Sequence, residues 1–80
     1  MAYRILKYNC EGTVDNFTTL GSPEHIGEFY DTEVEAIEAI NEEADKYRHS
    51  DAEVEFVSDD RFFLINSSNR VYRVYDVQQG

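Results

Sequence analysis

Residues 31–49, Asp31-Thr32-Glu33-Val34-Glu35-Ala36-Ile37-Glu38-Ala39-Ile40-Asn41-Glu42-Glu43-Ala44-Asp45-Lys46-Tyr47-Arg48-His49, decide the fold. Val34, Ile37, Ile40 or Asn41, Ala44 and Tyr47 recur at steps of three and four, which predicts a helix with one apolar stripe. Asp31 or Thr32 can cap its start, and Thr32-Glu33-Val34-Glu35 has the spacing of a capping box. Glu33 and Glu35 in the first turn, with Lys46, Arg48 and His49 near the end, match the helix dipole. His49-Ser50-Asp51 closes the segment.

Everything around this helix reads as strand. Upstream, Tyr3 to Tyr8 is aromatic and β-branched, Cys10-Glu11-Gly12-Thr13 has turn chemistry, and Val14 to Leu20 returns beside the first strand. Gly21-Ser22-Pro23 predicts a break, because Pro23 lacks a ladder donor and restricts Ser22. Gly27 to Tyr30 is a short extended piece. Downstream, Ala52, Val54 and Phe56 alternate with Glu53 and Glu55, the pattern of a strand with one apolar face. Ser58-Asp59-Asp60 turns into Arg61 to Asn66, apolar on both sides, and Ser67-Ser68-Asn69 turns into Arg70 to Val77. In that last strand, simple alternation sets Val71, Tyr75 and Val77 on one face with Arg73, and Tyr72 and Val74 on the other. The fold class is α+β: a single small domain, residues 1–80, with one helix on a mostly antiparallel sheet in the order ββ(β)αβββ. The hairpin of residues 3–20 can join either edge of the three-stranded meander.

Length and composition narrow the function. The chain has 80 residues, seventeen Asp and Glu against seven Lys and Arg, and a net charge of −10. That charge excludes nucleic acid and anionic membrane as direct partners of the bulk surface. A chain this short buries only about 60% of the surface its unfolded form exposes, so its eleven Phe and Tyr are all needed. Cys10 is the only cysteine, which excludes an internal disulfide and a cysteine-rich metal site. No signal-peptide core or membrane-length apolar run is present, and a reducing cytoplasmic setting is the expectation. The sequons at Asn16 and Asn66 carry no weight in that setting.

No constellation announces catalysis. His25 and His49 lie on either side of the helix without ligand spacing and read as a loop residue and a helix-end residue. Cys10 has no general base beside it and reads as a small buried side chain. Asp59-Asp60, Glu42-Glu43 and Glu53 with Glu55 are paired carboxylates of a kind any acidic chain supplies. Asp59-Asp60 lacks the further ligands of an EF-hand loop, and no phosphate-binding glycine loop occurs. The expectation is therefore no catalytic residue, no metal and no cofactor.

The charge has more shape. Glu35, Glu38, Glu42 and Asp45 fall on one helix face away from the apolar stripe, and Glu53 and Glu55 add a second row. Successive helical turns rise about 5.4 Å, comparable with the separation of phosphates along one nucleic-acid strand. These six residues are the candidate partner-binding set, and the partner is a basic protein surface. The preferred function is a non-catalytic interaction protein, a nucleic-acid mimic that inhibits a basic nucleic-acid-binding protein. One helix covers only one sheet face, so a second expectation is an assembly subunit that homodimerises through the uncovered face. A third is a small metal-dependent hydrolase built on Asp59-Asp60. Five of the seven basic residues are Arg, and low Lys with high acid also suits a high-salt environment. In size and charge the chain is similar to small acidic phage and mobile-element proteins, including anti-restriction and anti-CRISPR inhibitors, a likeness that carries over no residue.

Overall fold

The computed structural model describes residues 2–80. Five strands and one helix follow in the order β1 (Tyr3–Gly12), β2 (Phe17–Tyr30), α1 (Glu33–Asp45), β3 (Glu53–Ser58), β4 (Arg61–Ile65) and β5 (Val71–Gln79). The strands form one sheet in the spatial order β2-β1-β5-β4-β3, antiparallel at every pairing. The N-terminal hairpin therefore joins the meander through β1 against β5, which leaves β2 and β3 as the two edges.

The helix begins where the capping box sets it. Thr32 has extended backbone, and its hydroxyl accepts from the Glu35 amide at 3.2 Å. The buried stripe is Ala36, Ile40 and Ala44, flanked by the half-buried Ile37, Ala39 and Tyr47. Val34, expected inside, is 64% exposed. Small Ala36 and Ala44 on either side of Ile40 let the helix settle closely on large sheet rings, a preference that apolar spacing alone does not reveal. The helix ends at Asp45, so Lys46 is its C-cap and Arg48 and His49 lie just beyond. Beneath it lies the main core: Ile5, Phe62, Leu64, Tyr75 and Val77, with Tyr3, Ile26, Tyr30, Val54, Phe56 and Tyr72 around them.

Three departures from simple alternation shape the sheet. The first hairpin turns at Thr13–Asn16, later than expected, with mutual backbone bonds of 3.0 and 3.1 Å between those two residues. Gly12 makes this possible: its φ is +122°, and a Cβ there would fall on the Asn16 carbonyl and within 2.9 Å of the Phe17 Cα. Second, Gly21-Ser22-Pro23 does not end the strand. Five residues of β2, Leu20 to Glu24, span three of β1, Asn9 to Lys7, and the ladder resumes beyond this bulge. Proline is tolerated there because β2 is an edge strand. Residues 27–30 are consequently the end of β2 and not a separate strand. Third, β5 slips by one residue against β4, since Leu64 faces Arg73 while Ile65 faces Val71. The bulge reverses the expected assignment, setting Val71 with Val74 on one face and Tyr72 with the core under the helix.

The sheet's second face is also closed. Cys10, Phe63, Ile65, Val71 and Val74 are buried there, with Tyr8, Val14 and Phe17 packed over them. Phe17 meets Phe63 edge to face, with ring centroids 4.9 Å apart. Bulges increase strand twist, and the twisted end of the β1–β2 hairpin brings Val14 and Phe17 across this face.

Candidate functional site

The charge is segregated along the chain and in space. Residues 8–45 contain eleven Asp and Glu and no Lys or Arg. They fold into the end of β1, all of β2 and all of α1. Glu35, Glu38, Glu42 and Asp45 are exposed on the helix side opposite Ala36, Ile40 and Ala44. From Glu35 to Asp45 this face runs about 15 Å at the helical rise. Glu35 is held by the cap, its Oε1 accepting from the Thr32 hydroxyl at 3.1 Å. Asp45 is paired with Arg48. Among the described residues, Glu38 and Glu42 have no ion pair and no side-chain hydrogen bond. Lys46 is turned to Glu43 at 2.9 Å, and that bond raises its pKa. The helix cations thus occupy the C-terminal end, where Lys46 also feels the charge of Glu42, and leave the middle of the ridge without an ion pair.

Glu53 and Glu55 lie elsewhere. They stand opposite Ile65 and Phe63 across the β3–β4 ladder, whereas Val54 and Phe56 stand opposite Leu64 and Phe62 under the helix. Side chains alternate along a strand, so the two glutamates point to the sheet face away from α1. The fold brings the helix four into one row and puts the strand pair on the far side of the β3 edge.

A groove lies between the helix and β3, and nothing in the sequence pattern signals it. About 350 Å³ in volume, it runs between α1 and β3 and is lined by Ile37, Asn41, Phe56, Val57, Ser58 and Asp59. Val57 is 46% exposed. The Arg48 guanidinium lies 5.7 Å from the centre of the Phe56 ring.

On the second sheet face a polar chain was likewise hidden in the sequence, because its members come from three strands. Arg61 donates to Asp76 Oδ2 at 3.2 Å, and Gln78 Nε2 donates to the same oxygen and to the Tyr8 hydroxyl, both at 3.0 Å. Among the described residues Asp76 is the only charged one that is buried. With Phe17, Thr19 and Val74 these groups line a cavity of about 230 Å³. Phe63 and Val74, on the sheet face away from the helix, are at most 3% exposed within one chain. Arg61, Asp76, Gln78 and Tyr8 add a hydrogen-bonded polar patch beside them.

Cys10 is buried, and burial pushes its thiol pKa up, away from a reactive thiolate. His25 is half-buried in β2, not in a loop, and its ring packs edge to face on Phe29 at 4.7 Å. His49 is exposed beyond the helix end. Asp60 accepts from Ser58 Oγ at 2.7 Å within the β3–β4 turn. Among the described residues no group of three or more His, Cys, Asp and Glu could hold a metal ion, and no helix is long and apolar enough to cross a membrane. Comparison of the chain with protein-family models, curated proteins and solved structures returns no match.

Proposed function

We propose that this protein is a non-catalytic inhibitor that occupies the basic surface of a nucleic-acid-binding protein. The observation that carries the reading is the middle of the helix ridge. Glu38 and Glu42 sit exposed and, among the described residues, outside any ion pair, between Glu35 and Asp45, in a stretch of chain without one Lys or Arg. A row of exposed carboxylates on a helix, outside any ion pair at Glu38 and Glu42, presents negative charge at a regular rise, as a phosphate backbone does. Long-range attraction steers the encounter, and a few desolvated contacts supply the affinity. Exposed apolar groups beside the acid, Val34 and Val57 at 64% and 46% exposure, are available for those contacts.

Reversing Glu38 and Glu42 to Lys tests the reading. Both side chains point to solvent, so the double variant keeps its circular dichroism and thermal transition. Its affinity for a basic partner falls at least tenfold, and the salt dependence of binding becomes shallower. Unchanged affinity removes the ridge from the function.

A further inference from the structure

We infer that the free edge of β3 seats an extended basic segment of the partner, which adds to the sheet as a sixth strand. This rests on the reading of the chain as an acidic interaction protein and specifies how the partner is held.

The two sheet edges differ in kind. β2 carries Pro23, has positive φ at Gly21 and Gly27, and breaks register with β1 twice. Such an edge is poorly suited to continuous pairing. β3 contains neither Gly nor Pro, pairs in unbroken register from Glu53 to Phe56 with its single shift only before Ser58, and has no strand on its outer side among the described residues. Alternate residues of an edge strand turn their N–H and C=O groups outward, which is the template for strand addition.

The surroundings of β3 specify the chemistry of the added strand. On the helix side the groove of Ile37, Phe56 and Val57 offers apolar contact. On the other side stand Glu53 and Glu55, both exposed and neither in an ion pair. A strand laid along β3 alternates its side chains between these two environments. The segment that fits therefore alternates Lys or Arg with Val, Ile or Leu, its basic residues over Glu53 and Glu55 and its apolar residues in the groove. The same glutamates disfavour a second copy, because two β3 strands paired with each other set like charges side by side.

The probe is a capped octapeptide alternating arginine and valine, compared with the same peptide N-methylated at every second residue. Methylation keeps charge and apolar groups but removes the ladder bonds. The expected result is salt-dependent binding of the first peptide, shift changes and new amide protection confined to residues 53–58, and at least tenfold weaker binding of the methylated form. Glu53→Lys with Glu55→Lys weakens the first peptide by a similar factor. Equal binding of both peptides, with shifts along Glu35 to Asp45, overturns the edge seat while leaving the acidic ridge in play. Absence of binding by either peptide at millimolar concentration also overturns the seat, and the ridge is then decided separately by the Glu38→Lys/Glu42→Lys variant.

Discussion

The hydroxyl of Tyr47, from the turn after the helix, lies 2.8 Å from that of Tyr75 in the central strand. This bond ties the C-terminal end of α1 to the sheet at a fully buried ring. Tyr75 is 1% exposed and stacks on Phe62 at 4.6 Å with 7° between the ring planes. Burial, then the bond to Tyr47, raises the Tyr75 pKa well above the usual phenol value.

A pH dependence follows. The folded state holds the Tyr75 proton more tightly than the unfolded chain, whose phenol titrates near ~10. The stabilisation is complete below that value and is lost as pH rises above it, because ionisation then favours unfolding. Urea midpoints measured from pH 8 to 11 should fall above pH ~10, and less steeply in Tyr75→Phe. At neutral pH that variant should lose about 1 kcal/mol, the worth of one partly buried hydrogen bond.

Ile40 is fully buried between Ala36 and Ala44. Ile40→Ala should cost about 2–5 kcal/mol, a severe loss for so small a core. Val34→Ala, in the residue that simple periodicity places inside, should change stability by less than about 0.5 kcal/mol. Denaturant titration of the two variants separates the observed helix rotation from the expected one.

Phe17 is the aromatic cover of the second sheet face. Phe17→Ala should uncover Phe63 and destabilise the chain by about 1–3 kcal/mol, less than a fully buried ring because Phe17 is only half-buried. Sedimentation should detect self-association in this variant where the parent chain stays monomeric. A parent dimer of equal strength would mean the face has another cover.

The helix carboxylates repel one another, each like-charge pair at three- or four-residue spacing costing a few tenths of a kcal/mol. The melting temperature should therefore rise as salt goes from 10 to about 150 mM, where the Debye length reaches about 8 Å, and then level off. A continued rise into molar salt would favour an environmental origin for the acidity.

How far the chain could be read from its sequence depended on whether the signal was local. The helix start was legible because Thr32 and Glu35 meet within one turn. Its rotation was not, because only the large rings of Phe62 and Tyr75 make Ala36 a better inward residue than Val34. Strand identities followed from alternation in Glu53–Ser58 and from the apolar run Phe62–Ile65. The faces of β5 did not, since the bulge near Val71 is set by pairing with β4. Pro23 has break chemistry, but an edge strand leaves its missing donor unneeded. At the site, the row Glu35, Glu38, Glu42 and Asp45 was visible from helical spacing. That Glu53 and Glu55 face the other way, across a groove from the helix, depends on register and could not be read locally.

The acidic surface is tested most directly by affinity capture from a lysate of the encoding organism. The parent chain and the Glu38→Lys/Glu42→Lys variant are used side by side, washed at graded salt with and without competing duplex DNA. The parent should retain a basic nucleic-acid-binding protein that DNA displaces, and the variant should lose it while remaining folded. Recovery of the same protein by both, or of nothing but the parent chain itself, would contradict the proposal.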